Sequence, residues 1–199
     1  MQLYHISENP GIEIFEPRPS PQYYDNIKGN TVFAVSGKML HIYLLPRDCP
    51  RVCYYAKNDS LKADIDKYIG ITEKKFIICT EENWLERIKN TKLYLYKMPH
   101  ENFELLDEGA GYYVSYKTIK PINMFAIVDL MAELEKRNAE LRVLPSLRLL
   151  AQEISNSSLR YSIIRLRNAE ITLTSPPSSS PTPKESLWEK ERGEMIQNF

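Results

Sequence analysis

The chain alternates short apolar runs with polar or turn-forming breaks, and the shortness of those runs favours strands over helices. Such runs fall at 2–6 (QLYHI), 31–35 (TVFAV), 51–56 (RVCYYA), 74–80 (KKFIICT), 92–98 (KLYLYKM), 112–119 (YYVSYKTI) and 122–127 (INMFAI). They are rich in Tyr, Ile, Val and Phe, and Gly, Pro, Asn or Asp punctuate the segments between them. In KLYLYKM the period is two: Leu93 and Leu95 fall on one face, Tyr94 and Tyr96 on the other.

Helical spacing is predicted at 36–45, at 60–70 with Ser60 as N-cap and Gly70 as stop, and at 81–90, where Trp84, Leu85 and Ile88 share a face. The clearest helix is predicted over 128–141. Asp129 caps it, and Leu130, Met131, Leu134 and Leu141 form a stripe opposite Glu135, Lys136 and Arg137. Another is predicted over 146–157 after Pro145, which suits the start of a helix and not its interior. These two helices are expected to cap a sheet from the C-terminal side. From Ile171 onward Ser, Pro and Thr dominate, so residues 1–170 are expected to form a single globular domain and 171–199 a disordered tail with at most a short helix over 187–195. The class is α+β, with mixed sheets and C-terminal cap helices.

Composition narrows the function. Hydrophobic residues make up 43% and charged residues 26%, the balance of a water-soluble globular chain. Lys+Arg and Asp+Glu both count 26, so no overall basic excess exists to hold a nucleic-acid backbone, and the tyrosines lack an interleaved basic stripe. No apolar run is long enough for a membrane span and no signal peptide is evident, so a cytoplasmic protein is expected. Cys49, Cys53 and Cys79 show no paired C-x-x-C spacing, and His5, His41 and His100 are scattered, which argues against zinc. Nucleophilic chemistry at Cys49 or Cys53 ranks low, because no spacing places His41 as a base.

One constellation carries chemistry. In residues 29–45 a glycine turn leads to a strand ending in Phe33 and Ala34, then Ser36, Gly37 and Lys38, then a predicted helix carrying Tyr43. Upstream lies Leu3-Tyr4-His5-Ile6-Ser7. Together these resemble the first two motifs of the ADP-ribosyltransferase-like fold in its poly-ADP-ribose polymerase form. The resemblance, over residues 2–127, implies an ADP-ribosyltransferase-like α+β fold, NAD or a related nucleotide as ligand, His5 and Ser7 on the ribose, and Phe33 and Tyr43 around the nicotinamide. Ile6 stands where that family has Gly. The family's third motif is a Glu at the head of a later strand, a position that falls on Tyr112 in Tyr112-Tyr113-Val114-Ser115-Tyr116.

A tyrosine supplies no negative charge at neutral pH, so two readings stand side by side. One is a catalytically degenerate nucleotide-binding protein. The other is an active NAD-dependent ADP-ribosyltransferase in which Glu108, on a loop loosened by Gly109 and Gly111, swings in. A non-enzymatic interaction scaffold using the tail and the 146–157 helix is the third, and in it His5 is an ordinary hydrogen-bonded core residue. Arg47 and Arg51, which flank Pro50, and Arg18 are candidates to fork onto a pyrophosphate. The competing expectation pairs Arg47 with Asp48 on the surface and leaves Arg51 solvated; Arg165 and Arg167, which share a strand or helix face, are expected to be solvated unless they fold back over the site. The runs at 44–52, 140–147 and 162–170, with the opening L-Y-H-x-S, also resemble an uncharacterised bacterial family, which implies no activity.

Overall fold

The alternation in KLYLYKM sends its two faces into two different buried clusters. The computed structural model describes residues 1–20 and 24–171, together with the backbone of 196–197. Its strands are β1 (Leu3–Ser7), β2 (Val32–Ser36), β3 (Arg51–Tyr55), β4 (Phe76–Glu81), β5 (Leu93–Met98), β6 (Glu104–Asp107), β7 (Tyr112–Ser115), β8 (Asn123–Ile127), β9 (Ala139–Leu144), β10 (Arg160–Ile164) and β11 (Ile196–Gln197). Its helices are α1 (Lys62–Asp64), which runs on as a π-helical stretch Ile65–Ile69, α2 (Leu85–Asn90), α3 (Leu130–Lys136) and α4 (Arg148–Ser155). The fold is therefore α+β, with more strand than helix.

The strands form two sheets. One is six-stranded and antiparallel throughout, in the order β6-β7-β2-β1-β5-β8. The other, β11-β10-β3-β4-β9, is mixed: β3 pairs antiparallel with β10 and β4, while β9 runs parallel to β4. Leu93 and Leu95 of the first sheet share a buried cluster with Cys53 and Ile78 of the second, so the main core lies between the sheets. Tyr96 and Met98, on the opposite face of β5, pack with Leu3, Phe15, Phe103 and Ile119, where loops cover the outer side of the six-stranded sheet. Val52, Tyr54, Ile77 and Cys79 point away from the main core and meet Leu147, Ala151 and Ile154 of the α4 segment.

Several predicted elements take a different form. The helix expected over 128–141 is only α3: Asp129 caps it through Ala132 N at 2.9 Å, but Asn138 adopts φ 59° and stops it. The chain then becomes β9, and Leu141 reaches the main core from a strand paired with β4. The segment 36–45 makes only a 3-10 turn, Leu40–Tyr43. Ser60 does not cap: Leu61 is the N-cap, while Ser60 Oγ accepts from Lys57 N and donates to the Ser158 carbonyl. The strand β6 went unpredicted because its Glu104 and Leu105 are exposed and leave no buried alternation to read. Of the two expected cap helices, α4 packs on the outer face of the mixed sheet, whereas α3 packs on β9 and α2. The predicted helix over 187–195 and most of the predicted tail lie outside the described residues. Among the described residues no helix is long and apolar enough to cross a membrane.

Two buried polar groups tie this arrangement together. Glu81, fully buried at the end of β4, accepts from Leu147 N at 3.0 Å and from Glu170 N at 2.9 Å, and so fixes both the start of α4 and the end of the described domain. Charge-assisted bonds of this kind contribute about 1.5–3 kcal/mol each. Glu81→Ala is expected to lower the unfolding free energy by about 3 kcal/mol or more in urea titration; a loss below about 1 kcal/mol would show that the clasp is dispensable.

His41, 2% exposed, stacks on Phe76 with ring centroids 3.8 Å apart. Burial, reinforced by the Arg137 and Lys75 charges, pushes it down to about 4. Below the ordinary histidine value near 6.5 the unfolded chain takes up a proton that the folded chain refuses, so stability falls as pH drops from about 6.5 to about 4. At about 1.4 kcal/mol per pH unit this amounts to at most about 3.5 kcal/mol. Thermal unfolding at pH 7.5 and 5.0 should show the loss, and His41→Gln should reduce it; equal acid sensitivity in the variant would remove His41 as the cause.

Candidate functional site

Strands β1 and β2 are neighbours, yet they pair only at Leu3–Ser36 and Tyr4–Val35. Beyond Tyr4 each is held by its other neighbour. β1 runs in register with β5 from Leu3 to Ser7, and β2 with β7 from Val32 to Val35. Where the ladder should continue, the His5 side chain takes its place: Nδ1 lies 2.9 Å from the Phe33 carbonyl. A carbonyl only accepts, so Nδ1 carries the hydrogen and Nε2 of the neutral ring is an acceptor. Burial holds His5 below its ordinary pKa, and the nearby Arg47 and Arg18 charges act in the same direction. Phe15 packs on the ring at 4.6 Å.

The parting strands open a cleft of about 470 Å³. It runs along β2 from Thr31 to Val35, a distance of roughly 13 Å at about 3.3 Å per residue. Its buried wall includes Tyr43, Leu45, Arg51, Leu93 and Tyr112; its exposed rim includes Glu8, Asn9, Glu16, Arg18 and Arg47. The Tyr43 and Tyr112 rings lie 5.4 Å apart and their hydroxyls are hydrogen-bonded. Phe33 meets Tyr112 edge-on at 6.2 Å. Burial pushes both phenols well above their ordinary range, so both are neutral at physiological pH.

The charges lining the cleft are unevenly answered. Arg18, Arg47 and Arg51 face two carboxylates, Glu8 and Glu16. Glu8 is already engaged, accepting from Arg47 N at 2.8 Å and lying 3.8 Å from the Arg87 guanidinium. Two buried side-chain polar atoms lack a hydrogen-bond partner among the described residues, Thr31 Oγ1 and Arg51 Nε, and both belong to residues of this cleft. Both residues line the cleft, although the two orphaned atoms are themselves closed off from solvent.

A profile described as a family of unknown function (DUF6886) matches residues 4–169. The chain belongs to that family. The matched span includes every residue that lines the cleft, from Tyr4 to Tyr112. No curated protein and no solved structure matches the chain.

Within this DUF6886 fold the cleft brings together His5, Ser7, Phe33, Tyr43, Arg47, Arg51 and Tyr112. Glu108 lies apart, exposed in the turn between β6 and β7. That turn is closed, not loose: Asp107 Oδ1 accepts from Gly109 N and Ala110 N, and the Glu108 carbonyl accepts from Gly111 N. Gly111, at φ 70°, sits where a Cβ would come within 2.6 Å of Ser36 Oγ, and this close approach seats Tyr112 beside β2.

The expected surface pairing of Arg47 with Asp48 and a solvated Arg51 are both overturned. Asp48 lies 3.9 Å from Arg165, Arg47 lines the cleft, and Arg51 is 3% exposed. Arg165 is buried too, since φ 53° turns its side chain back to donate to the Arg47 carbonyl. The cysteines are buried, and burial raises all three thiols, Cys53 to about 12 and Cys79 to about 11, so none is a ready nucleophile. Sequence reasoning missed Thr31, Glu8 and Glu16; Thr31 reads as an ordinary strand residue, and only its orphaned hydroxyl gives it away.

Thr31→Val removes an unpaired buried hydroxyl at nearly constant volume. The variant is expected to be as stable as the parent or more stable by about 1 kcal/mol in urea titration. A loss of more than about 1 kcal/mol would show that the hydroxyl has a stabilising partner.

Proposed function

We propose that the chain is a nucleotide-binding protein whose ligand, of the NAD or ADP-ribose type, occupies the cleft between β1 and β2 on an ADP-ribosyltransferase-like scaffold. The observation that supports this most strongly is the interrupted β1–β2 ladder, which places an acceptor histidine, aromatic rings and three arginines around one elongated cavity. His5 Nε2 is suited to accept from a ribose hydroxyl. Phe33, half-buried, offers ring surface for a base or nicotinamide, and Arg18 and Arg47 at the rim suit a pyrophosphate.

NAD, when bound, supplies a glycosidic bond that breaks with positive charge developing on the ribose. Enzymes that cleave such bonds set a carboxylate against that charge. The resemblance puts that position on Tyr112, here a neutral phenol hydrogen-bonded to Tyr43; Glu108 stands outside the cleft, and the carboxylates that do line it, Glu8 and Glu16, sit at the rim, Glu8 already engaged by Arg47 N and Arg87. The proposed function is therefore binding without turnover.

Calorimetric titration of the full chain with ADP-ribose and with NAD tests this. Saturable binding is expected, weakened at least tenfold by His5→Ala, a change of about 1.4 kcal/mol. No nicotinamide should be released from NAD over hours of incubation. Absence of heat with both ligands would overturn the reading, and nicotinamide release lost in Glu108→Gln would replace it with the transferase.

A further inference from the structure

Arg51 is the first residue of β3 and shares a face with Cys53, so its side chain points from the mixed sheet into the space between the sheets. It is 3% exposed. Nη1 donates to the Pro46 carbonyl at 3.1 Å and to the Cys49 carbonyl at 3.3 Å, which anchors the guanidinium against the preceding loop. Nε has no partner, and among the described residues Arg51 forms no ion pair.

A guanidinium keeps its charge when buried, and burying a cation without a counter-ion is strongly unfavourable. Bonding two loop carbonyls does not account for that cost, because a neutral donor would serve at a smaller one. The acids nearest in the cleft lining are no answer: Glu8 and Glu16 are exposed at the rim, and Glu8 is engaged by Arg47 N and Arg87. Tyr43 and Tyr112, both buried, line the same wall and lie within electrostatic reach of Arg51.

We propose that Arg51 is an anion-binding residue on the buried wall of the cleft, and that the ligand presents a terminal phosphoryl group to its Nε–H. The proposal rests on the nucleotide reading for the rest of the ligand but narrows its class, from dinucleotides such as NAD, whose phosphates are internal, to nucleotides that end in a phosphate monoester. It sets a direction: the anionic end lies inward on Arg51, and the remainder extends along β2 past His5 toward Thr31 and the rim. A nucleotide ending in a phosphate monoester is accordingly preferred over NAD, whose ring end carries an uncharged carboxamide.

The test is a nitrogen–proton NMR titration of the arginine Nε–Hε resonances in the full chain. Inorganic phosphate is the first probe, followed by AMP and then NAD, with chloride at matched ionic strength as control. The Arg51 signal, assigned by its absence in Arg51→Lys, is expected to shift saturably with phosphate and AMP and not with chloride. AMP is expected to bind at least tenfold tighter than NAD. Arg51→Lys, which keeps the charge and a donor for the loop carbonyls but loses Nε, should weaken phosphate at least tenfold.

If that variant fails to fold, the wild-type titration decides, with the signal assigned by its slow solvent exchange. Should nucleotides move the His5 and Phe33 resonances while the Arg51 signal stays still, the proposal falls and the nucleotide reading survives. Should phosphate move only Arg18 and Arg47, the proposal falls as well. If no cleft resonance responds to any probe, both are overturned.

Discussion

The hydrogen bond from His5 Nδ1 to the Phe33 carbonyl decides the character of this fold. An antiparallel pair normally closes along its length, but here the β1–β2 ladder ends after Tyr4 and a side chain completes it. The imidazole satisfies a carbonyl that the missing ladder would leave unpaired, and its bulk keeps the strands apart. Because β5 and β7 hold β1 and β2 in register on their far sides, the gap is fixed and does not relax into a closed sheet. The opening follows from that one substitution of side chain for backbone, and Arg51 reaches the same cleft independently, from the facing sheet.

The rest of the molecule stabilises a structure with such a gap at its centre. The main core binds the inner faces of both sheets through Leu93, Leu95, Cys53 and Ile78, while separate clusters cover their outer faces. Where buried polarity serves the fold it is fully answered, as at Glu81, whose two oxygens take two backbone N–H groups. Where it is not answered, at Thr31 and Arg51, it lies in the cleft. This contrast separates buried polarity that stabilises the domain from buried polarity that lowers stability without improving packing.

Most strands were legible in the sequence because a two-residue period and Gly or Pro breaks are local properties. His5, Phe33 and Tyr43 were brought together by the resemblance, not by a local pattern, and all three line one cleft. What escaped depends on partners distant in sequence. Leu141 sits at helical spacing after Leu134, but a left-handed Asn138 and parallel pairing with β4 turn it into a strand residue. Arg51 reads as a charged residue at a strand edge, and nothing local reveals that the opposite sheet buries it. Glu108 looked mobile because two glycines follow it, whereas Asp107 and the Gly111 amide close the turn around it.

A crystal structure of the chain grown with AMP measures the central claim most directly. The account predicts ligand density between β1 and β2, with His5 still bonded to the Phe33 carbonyl and the phosphate against Arg51 Nε. A ladder closed from Leu3 through Ser7, with His5 packed in the core and density elsewhere or nowhere, would contradict it.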